Sequence, residues 1–206
     1  MALDLLEAAL VEFAAHGFEG ASTRAIAERA GAHQPQINYH FASKEQLWHA
    51  AVDHLFGLLA AELGSGAPSG SPGQDPIDAF ADAIRRFVRF SAARPELHRI
   101  MNLESTADSA RLAWIVQRHV QPRFDALELA WRELRSTGQG ADLTALEVWQ
   151  LLIGFGALPY ANAPLLVHLT PFDPADADVV EAHASRLVSL LLPAPAPGRR
   201  RRDRSR

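Results

Sequence analysis

The sequence predicts an all-α fold: a small N-terminal three-helix unit joined to a larger C-terminal helical bundle. Apolar residues recur at three- and four-residue spacing along most of the chain, as on helices with one buried face. No stretch alternates apolar and polar residues like a half-buried strand. Capping and breaking residues separate the periodic segments, and there is no internal repeat.

Leu3, Leu6, Leu10 and Phe13 mark a first helix that Gly17 is placed to end. Ser22 or Thr23 caps a second helix, with Ile26, Ala27 and Ala30 as its apolar face, and Gly31 breaks it. Residues 34–40 form a short third helix anchored inward by Ile37; Pro35 fits its first turn, where no internal N–H bond is lost. Ser43 and Gln46 match a capping box opening a fourth helix over 44–63, with Leu47, Trp48, Ala51, Leu55, Leu58 and Leu59 as its stripe. The run GSGAPSGSPGQDP, 64–76, has flexible-loop composition. Beyond it, Ile77, Phe80, Ile84, Phe87 and Val88 line a helix ending near Ala93, and Pro95 starts a short one carrying Leu97, Ile100, Met101 and Glu104. Leu112, Ile115, Val116 and His119 lead to Pro122, which restarts or kinks the helix that Phe124, Leu127, Trp131 and Leu134 continue. Residues 142–158 and 174–192 supply two further apolar helices. The ending PAPAPGRRRRDRSR is low-complexity and reads as a disordered tail. The expected organisation is a first unit over 1–43, a helical domain over 44–193 and a tail over 194–206.

With 206 residues, 48% of them apolar, the chain can bury a sizeable core. It has no cysteine, which excludes disulfides and thiolate metal or redox sites. The opening segment carries Asp4, Glu7 and Glu12 and no basic stretch, so it is a poor signal peptide. Apolar runs fall short of the roughly 20 residues a membrane span needs, and a cytoplasmic protein with no membrane partner is expected. Net charge is -4, although Arg199–Arg206 hold six Arg and one Asp. Residues 1–50 set Arg24, Arg29 and Lys44 against six carboxylates. Any contact with nucleic acid must therefore depend on where the few cations sit.

The segment Thr23–Leu47 carries the most specific chemistry. A short helix, a glycine turn and a second short helix crowded with polar side chains have the layout of a DNA-reading helix-turn-helix. With Ile37 inward, Gln34, Gln36, Asn38, Tyr39 and His40 lie mostly outward. Glutamine can pair with adenine in the major groove, and Tyr and His can donate to phosphate oxygens. Thr23 with Arg24, and Lys44, stand at the starts of the second and fourth helices, where free N–H groups favour a phosphate.

Phe13, Gly17, Thr23, Ile26, Ala27, Ala30, Gly31 and INYHFASKEQL over 37–47 together resemble the tetracycline-repressor (TetR/AcrR) family of bacterial transcription regulators. The resemblance implies a homodimer binding a double-stranded DNA operator. Each subunit would have an N-terminal three-helix helix-turn-helix DNA-binding domain and a C-terminal helical bundle for ligand binding and dimerisation. It also implies that Thr23, Arg24, Gln34, Pro35, Gln36, Asn38, Tyr39, His40 and Lys44 face DNA. Many relatives have an aromatic residue where Asn38 stands. They often carry basic residues ahead of the first helix, where this chain has none; the arginine-rich tail either substitutes electrostatically or is a solvated end.

Gly154, Gly156 and Ala157 allow close approach, and Trp149, Phe155, Leu187 and Leu191 supply apolar area. These residues face either a second subunit or their own core, and the resemblance favours the first. A pocket for a small apolar effector is expected among the helices of 77–160. Its expected walls are Phe87, Phe90, Met101, Trp114, His119, Phe124 and Trp149, with Glu104, Arg118 and His119 as polar anchors. The chain has no phosphate loop and no nucleophile elbow, and His49 with Asp53 makes too few ligands for a metal. No catalytic residue, metal or cofactor is expected. A helical carrier protein without specific DNA binding, or a helical enzyme, is the competing reading.

Overall fold

The computed structural model describes residues 1–64 and 74–193. Most of the expected loop and the arginine-rich tail lie outside the described residues. The helices are α1 (Ala2–Gly20), α2 (Thr23–Arg29), α3 (Gln34–His40), α4 (Lys44–Leu63), α5 (Pro76–Ala93), α6 (Glu96–Glu104), α7 (Ala110–Ile115), α8 (Gln121–Ser136), α9 (Ala145–Leu151), α10 (Leu158–Ala161), α11 (Ala163–Leu169) and α12 (Ala177–Leu191). No strand occurs among the described residues.

Two π-helical turns interrupt this pattern. Val116–Val120 joins α7 to α8, and Leu152–Ala157 joins α9 to α10. Each is followed by a proline in the first turn of the next helix, Pro122 and Pro159. Proline offers no N–H to the carbonyl four residues back, so the ladder must adjust there.

The first core gathers α1–α4 around Leu10, Phe13, Ile26, Ile37, Leu47 and Trp48. It also takes in Phe90 from α5, Leu97 and Ile100 from α6, and Ile115 from α7. It therefore spans the boundary expected at 43/44. Leu3 departs from its expected stripe: it is 55% exposed, and Leu5, Ala9 and Leu10 carry the inner face of α1. Helix α1 does not end at Gly17. That residue adopts φ 67°, ψ 178°, a break a glycine tolerates, and a last turn continues to Gly20. The break delivers Phe18 to the core, 6.2 Å from Phe13 and 6.3 Å from Trp48.

The second core packs α5, α8, α9 and α12 through Phe80, Val88, Trp131, Val148, Leu187 and Leu191. Gly156 lies in the second π turn, where an added Cβ would stand 2.9 Å from Leu187. Gly156, Ala157, Leu187 and Leu191 are thus buried against their own subunit and unavailable to a partner, because α9–α10 and α12 cross closely here. No single helix among the described residues is long and apolar enough to cross a membrane. The bent pair Ala145–Ala161 and Ala163–Leu169 passes by composition, but it turns by 76° and its first arm packs into this core.

Polar groups tie α1 to its neighbours. Glu7 accepts from Arg94 at 2.7 Å and meets His54 at 2.8 Å, linking α1, α4 and the end of α5. Burial pushes the Glu7 carboxyl up, but these two partners outweigh it and hold the group below its usual value. The largely buried Glu12 accepts the Ser22 N–H at 3.1 Å, fixing the chain where α2 begins. Replacing Glu12 with Ala strips that N–H of its acceptor. The expected loss is about 1–3 kcal/mol in urea unfolding, with Glu12→Gln losing less.

Candidate nucleic-acid interface and cavity

Helix α2 begins at Ser22, whose side chain accepts from the Ala25 N–H. It ends in a Schellman turn: Gly31 lies at φ 64°, its N–H reaches the Glu28 carbonyl, and the Ala32 N–H reaches the Ala27 carbonyl at 2.9 Å. This turn sets α3 across α2. Ile37, 1% exposed, is the buried residue of α3. The rest of that helix has little besides polar side chains, so one residue seats it and leaves its outer face free.

That face presents Gln34, Pro35, Asn38, Tyr39 and His40, all exposed. Tyr39 is 85% exposed, an arrangement that wastes its apolar ring unless something covers it. Its ring meets that of His40 edge-on at 5.1 Å. Gln34 lies 3.5 Å from the Thr23 hydroxyl, so the first turns of α2 and α3 stand together. Arg24 is exposed and paired with Glu28 one turn on. Such a pair contributes little and leaves the guanidinium able to exchange partners.

Two expected DNA-facing residues are engaged internally. The side-chain oxygen of Gln36 accepts the His33 N–H at 2.7 Å and so caps α3. Lys44 donates to the Glu19 carbonyl at 3.2 Å and sits 4.9 Å over the Phe18 ring. The capping of α4 is also shifted by one residue from expectation. Ser43 accepts from the Gln46 N–H, but the Gln46 side chain accepts from Ala42 at 3.4 Å.

A cavity of about 380 Å³ lies in the larger part of the chain. Its walls come from the C-terminal half of α4, from α5 and α6, from α7 through its π turn to α8, and from α9. Of the residues expected there, Phe87, Met101 and Trp149 line it. The others stand elsewhere. Phe90 points into the first core. Glu104 is buried against Arg111, 3.2 Å away. Trp114 stacks 4.2 Å from His49 and 5.7 Å from Trp48. Arg118 forms a two-pronged pair with Asp53 at 2.6 and 3.2 Å. His119 lies flat on Phe56 at 4.3 Å, and Phe124 meets the edge of Trp149 at 5.8 Å, behind the wall. For Arg118, His119 and Phe124 the π turn contributes, because an extra residue in a turn offsets the helix phase by about 100° past Ile115. His49 and Asp53 have these other partners, and no group of three metal-ligating side chains occurs among the described residues.

Sequence reasoning missed His98 and Arg123, both of which line the cavity. A signal was present: Arg123 precedes Leu127, Trp131 and Leu134 on one stripe, and His98 is one turn before Met101. His98 is 4% exposed, and its Nε2 lies 3.2 Å from the Ser91 hydroxyl. That hydroxyl donates to the Phe87 carbonyl, so Nε2 carries the proton shared with Ser91 and Nδ1 is left as an acceptor. Burial pushes the His98 pKa down to about 4.

A short reading helix seated on a three-helix core, with a polar, exposed outer face, defines a helix-turn-helix DNA-binding protein. Residues 5–51 match the family model for bacterial regulatory proteins of the tetR family. The chain is 31% identical over 157 residues to the HTH-type transcriptional regulatory protein RaaS of Mycobacterium tuberculosis, covering 69% of each chain. It is 30% identical over 108 residues to the regulator RutR of Escherichia coli, covering 52% of this chain and 49% of that one. Among solved structures, AibR in complex with isovaleryl coenzyme A and operator DNA superposes with a TM-score of 0.74 at 20% identity, over 93% of this chain and 98% of that one. The regulator FadR from Bacillus subtilis, in complex with stearoyl-CoA, gives a TM-score of 0.65 at 16% identity, over 92% and 99%. This chain belongs to the tetR family and is a DNA-binding transcriptional regulator; the family is not one of enzymes.

His98 has a consequence for stability. The unfolded chain binds its proton below about pH 6.5 and the folded chain only below about 4, so stability falls as pH drops through that window. Unfolding titrations of His98→Gln should show a shallower fall, by on the order of 3 kcal/mol at pH 4. Identical pH profiles would contradict this environment for His98.

Proposed function

We propose that the protein is a ligand-responsive repressor that binds an inverted-repeat operator as a homodimer and leaves it when an apolar effector enters the cavity. The observation that carries this reading is the path of α4. Its first residue, Lys44, belongs to the DNA-facing unit, and Phe56, Leu59 and Leu63 at its other end are cavity wall. A rod of 20 residues, about 30 Å long, joins the two sites without a hinge. In this reading residues 1–43 read DNA, and 44–193 bind effector and pair subunits.

A second connection runs beside it. Arg111 of α7 holds Glu104 of α6, reaches Glu19 of α1 at 3.6 Å, and lies 4.1 Å over the Phe18 ring that Lys44 also covers. Helix α6 supplies cavity wall through Met101 and Asn102, followed by Ser105 at its C-cap. Movement of α6 on filling the cavity would pull on the end of α1 and the start of α4 together. This gives the coupling a material route between two distinct sites. The fold neighbours whose complexes hold operator DNA or acyl-CoA esters support a reading with both partners.

In DNA, Tyr39 and His40 would meet phosphates, with Thr23, Arg24 and Lys44 alongside; Gln34 and Asn38 would meet base edges beside Pro35. Gln36 would act through its amide NH₂, its oxygen being held in the α3 cap. Pairing would use the outer faces of the second π turn and α12. Phe155, Arg186, Ser189 and Leu190 line a shallow groove there, and Leu190 is 53% exposed. Paired subunits would set two α3 helices about 34–36 Å apart, one turn of duplex.

Sequencing of genomic fragments bound by the protein should return inverted-repeat half-sites at that spacing; bound fragments with single half-sites would remove the dimeric reading. Tyr39→Ala should lower affinity for operator and unrelated DNA alike. The salt dependence should stay as in the parent, because a neutral phenol releases no counter-ion, whereas Arg24→Ala should flatten it by about one unit of slope. Leu190→Glu should turn the dimer into a monomer in sedimentation, with operator affinity lost and the helical spectrum kept. A Leu190→Glu protein that still sediments as a dimer would shift the interface away from α12.

A further inference from the structure

The cavity is apolar almost throughout but not neutral. Among the described residues that line it, Arg123 is the charged one and none is Asp or Glu. Two of the five guanidinium N–H groups are engaged, with the His119 carbonyl at 2.7 Å and the Phe56 carbonyl at 3.0 Å. The Phe56 ring lies 5.0 Å from the guanidinium carbon. These contacts orient the group and leave its charge unbalanced. Several other arginines are paired: Arg94 meets Glu7, Arg111 meets Glu104 and Arg118 meets Asp53. Burial alone acts on Arg123 and lowers its pKa, with no carboxylate offsetting it.

A half-buried cation without a counter-ion is costly to retain in an apolar wall. A planar anion received by the remaining N–H groups would compensate it, and a guanidinium suits a carboxylate best. The Asn102 amide and the Ser105 hydroxyl, which also line the cavity, can donate further hydrogen bonds to an anion. The remaining surface, including Phe80, Ile84, Leu127, Trp149 and Leu152, suits a hydrocarbon body. The volume lies at the small end of ligand pockets. One cation and this volume do not suit the several phosphates and the nucleotide of a coenzyme A ester.

Resting on the effector reading above, we propose that the cavity takes a free carboxylic acid with an apolar body, its carboxylate held by Arg123 and its tail against α5, α8 and α9. Decanoate, decanol and decanoyl-coenzyme A serve as probes, with binding to the full chain measured by calorimetry and thermal shift in the absence of DNA. Decanoate should bind saturably, at least about tenfold more tightly than decanol. Arg123→Met should bring the acid down to the alcohol, and Arg123→Lys should keep part of the preference. Should Arg123→Met fold poorly, the acid-to-alcohol ratio in the parent and in Arg123→Lys still decides. Equal binding of acid and alcohol by the parent overturns the proposal. So do a preference that survives Arg123→Met, tighter binding of the coenzyme A ester, and no saturable binding of decanoate. A separate anisotropy measurement follows release of operator DNA. If decanoate binds through Arg123 without releasing DNA, the site stands and the effector-controlled repressor reading fails.

Discussion

The rest of the molecule depends on α4 belonging both to the first core and to the cavity wall. Leu47, Trp48 and Leu55 close the first core, while Phe56, Leu59 and Leu63 face the cavity. A helix packed so tightly along most of its length cannot move at one end and stay still at the other. Protein interiors shift between discrete packings and do not deform smoothly. The first core deepens this constraint, because it recruits Phe90, Leu97 and Ile100 from helices that also form cavity wall. The DNA-facing unit is therefore the end of a continuous body.

Charge is arranged economically. The DNA-facing half has few cations, and Lys44 and Arg111 both lie over Phe18, tying helix ends together. Arg118 bridges to Asp53, and Arg94 to Glu7. What α3 offers outward is polar but nearly uncharged: amides, a phenol and an imidazole. Such a surface gains little from long-range attraction and relies on hydrogen-bond geometry once docked. In the proposed homodimer, doubling the surface would compensate for the small contribution of each copy.

Where the chain departs from regular helix, the departure has consequences. The break at Gly17 brings Phe18 under two cations. The first π turn rotates His119 onto Phe56 and leaves Arg123 facing the cavity. The second π turn presents a glycine, Gly156, where α12 comes closest. Each of these positions hydrogen-bonds irregularly and stands beside a site or an interhelix contact, as such turns often do.

The sequence by itself determined most of the helices, though not α11 or the end of α1, together with the Gly31 turn, the inward anchor Ile37 and the exposed face of α3, because these follow from local spacing and capping, which act within a few residues. It also carried the family, through the run from Ile37 to Leu47. Only the tertiary structure decided which aromatic residues wall the cavity. The π turn over 116–120 lays His119 on Phe56, and Arg123 beyond it faces the cavity, while Trp114 ahead of it is taken up by His49 and Trp48. Tertiary structure likewise decided that Leu187, Leu191 and Gly156 are core and that Lys44 and Gln36 are engaged at home. An apolar or polar side chain carries no mark of which neighbour it will meet. That is settled by distances between segments far apart in the chain, such as the 2.9 Å that would separate a Cβ at Gly156 from Leu187.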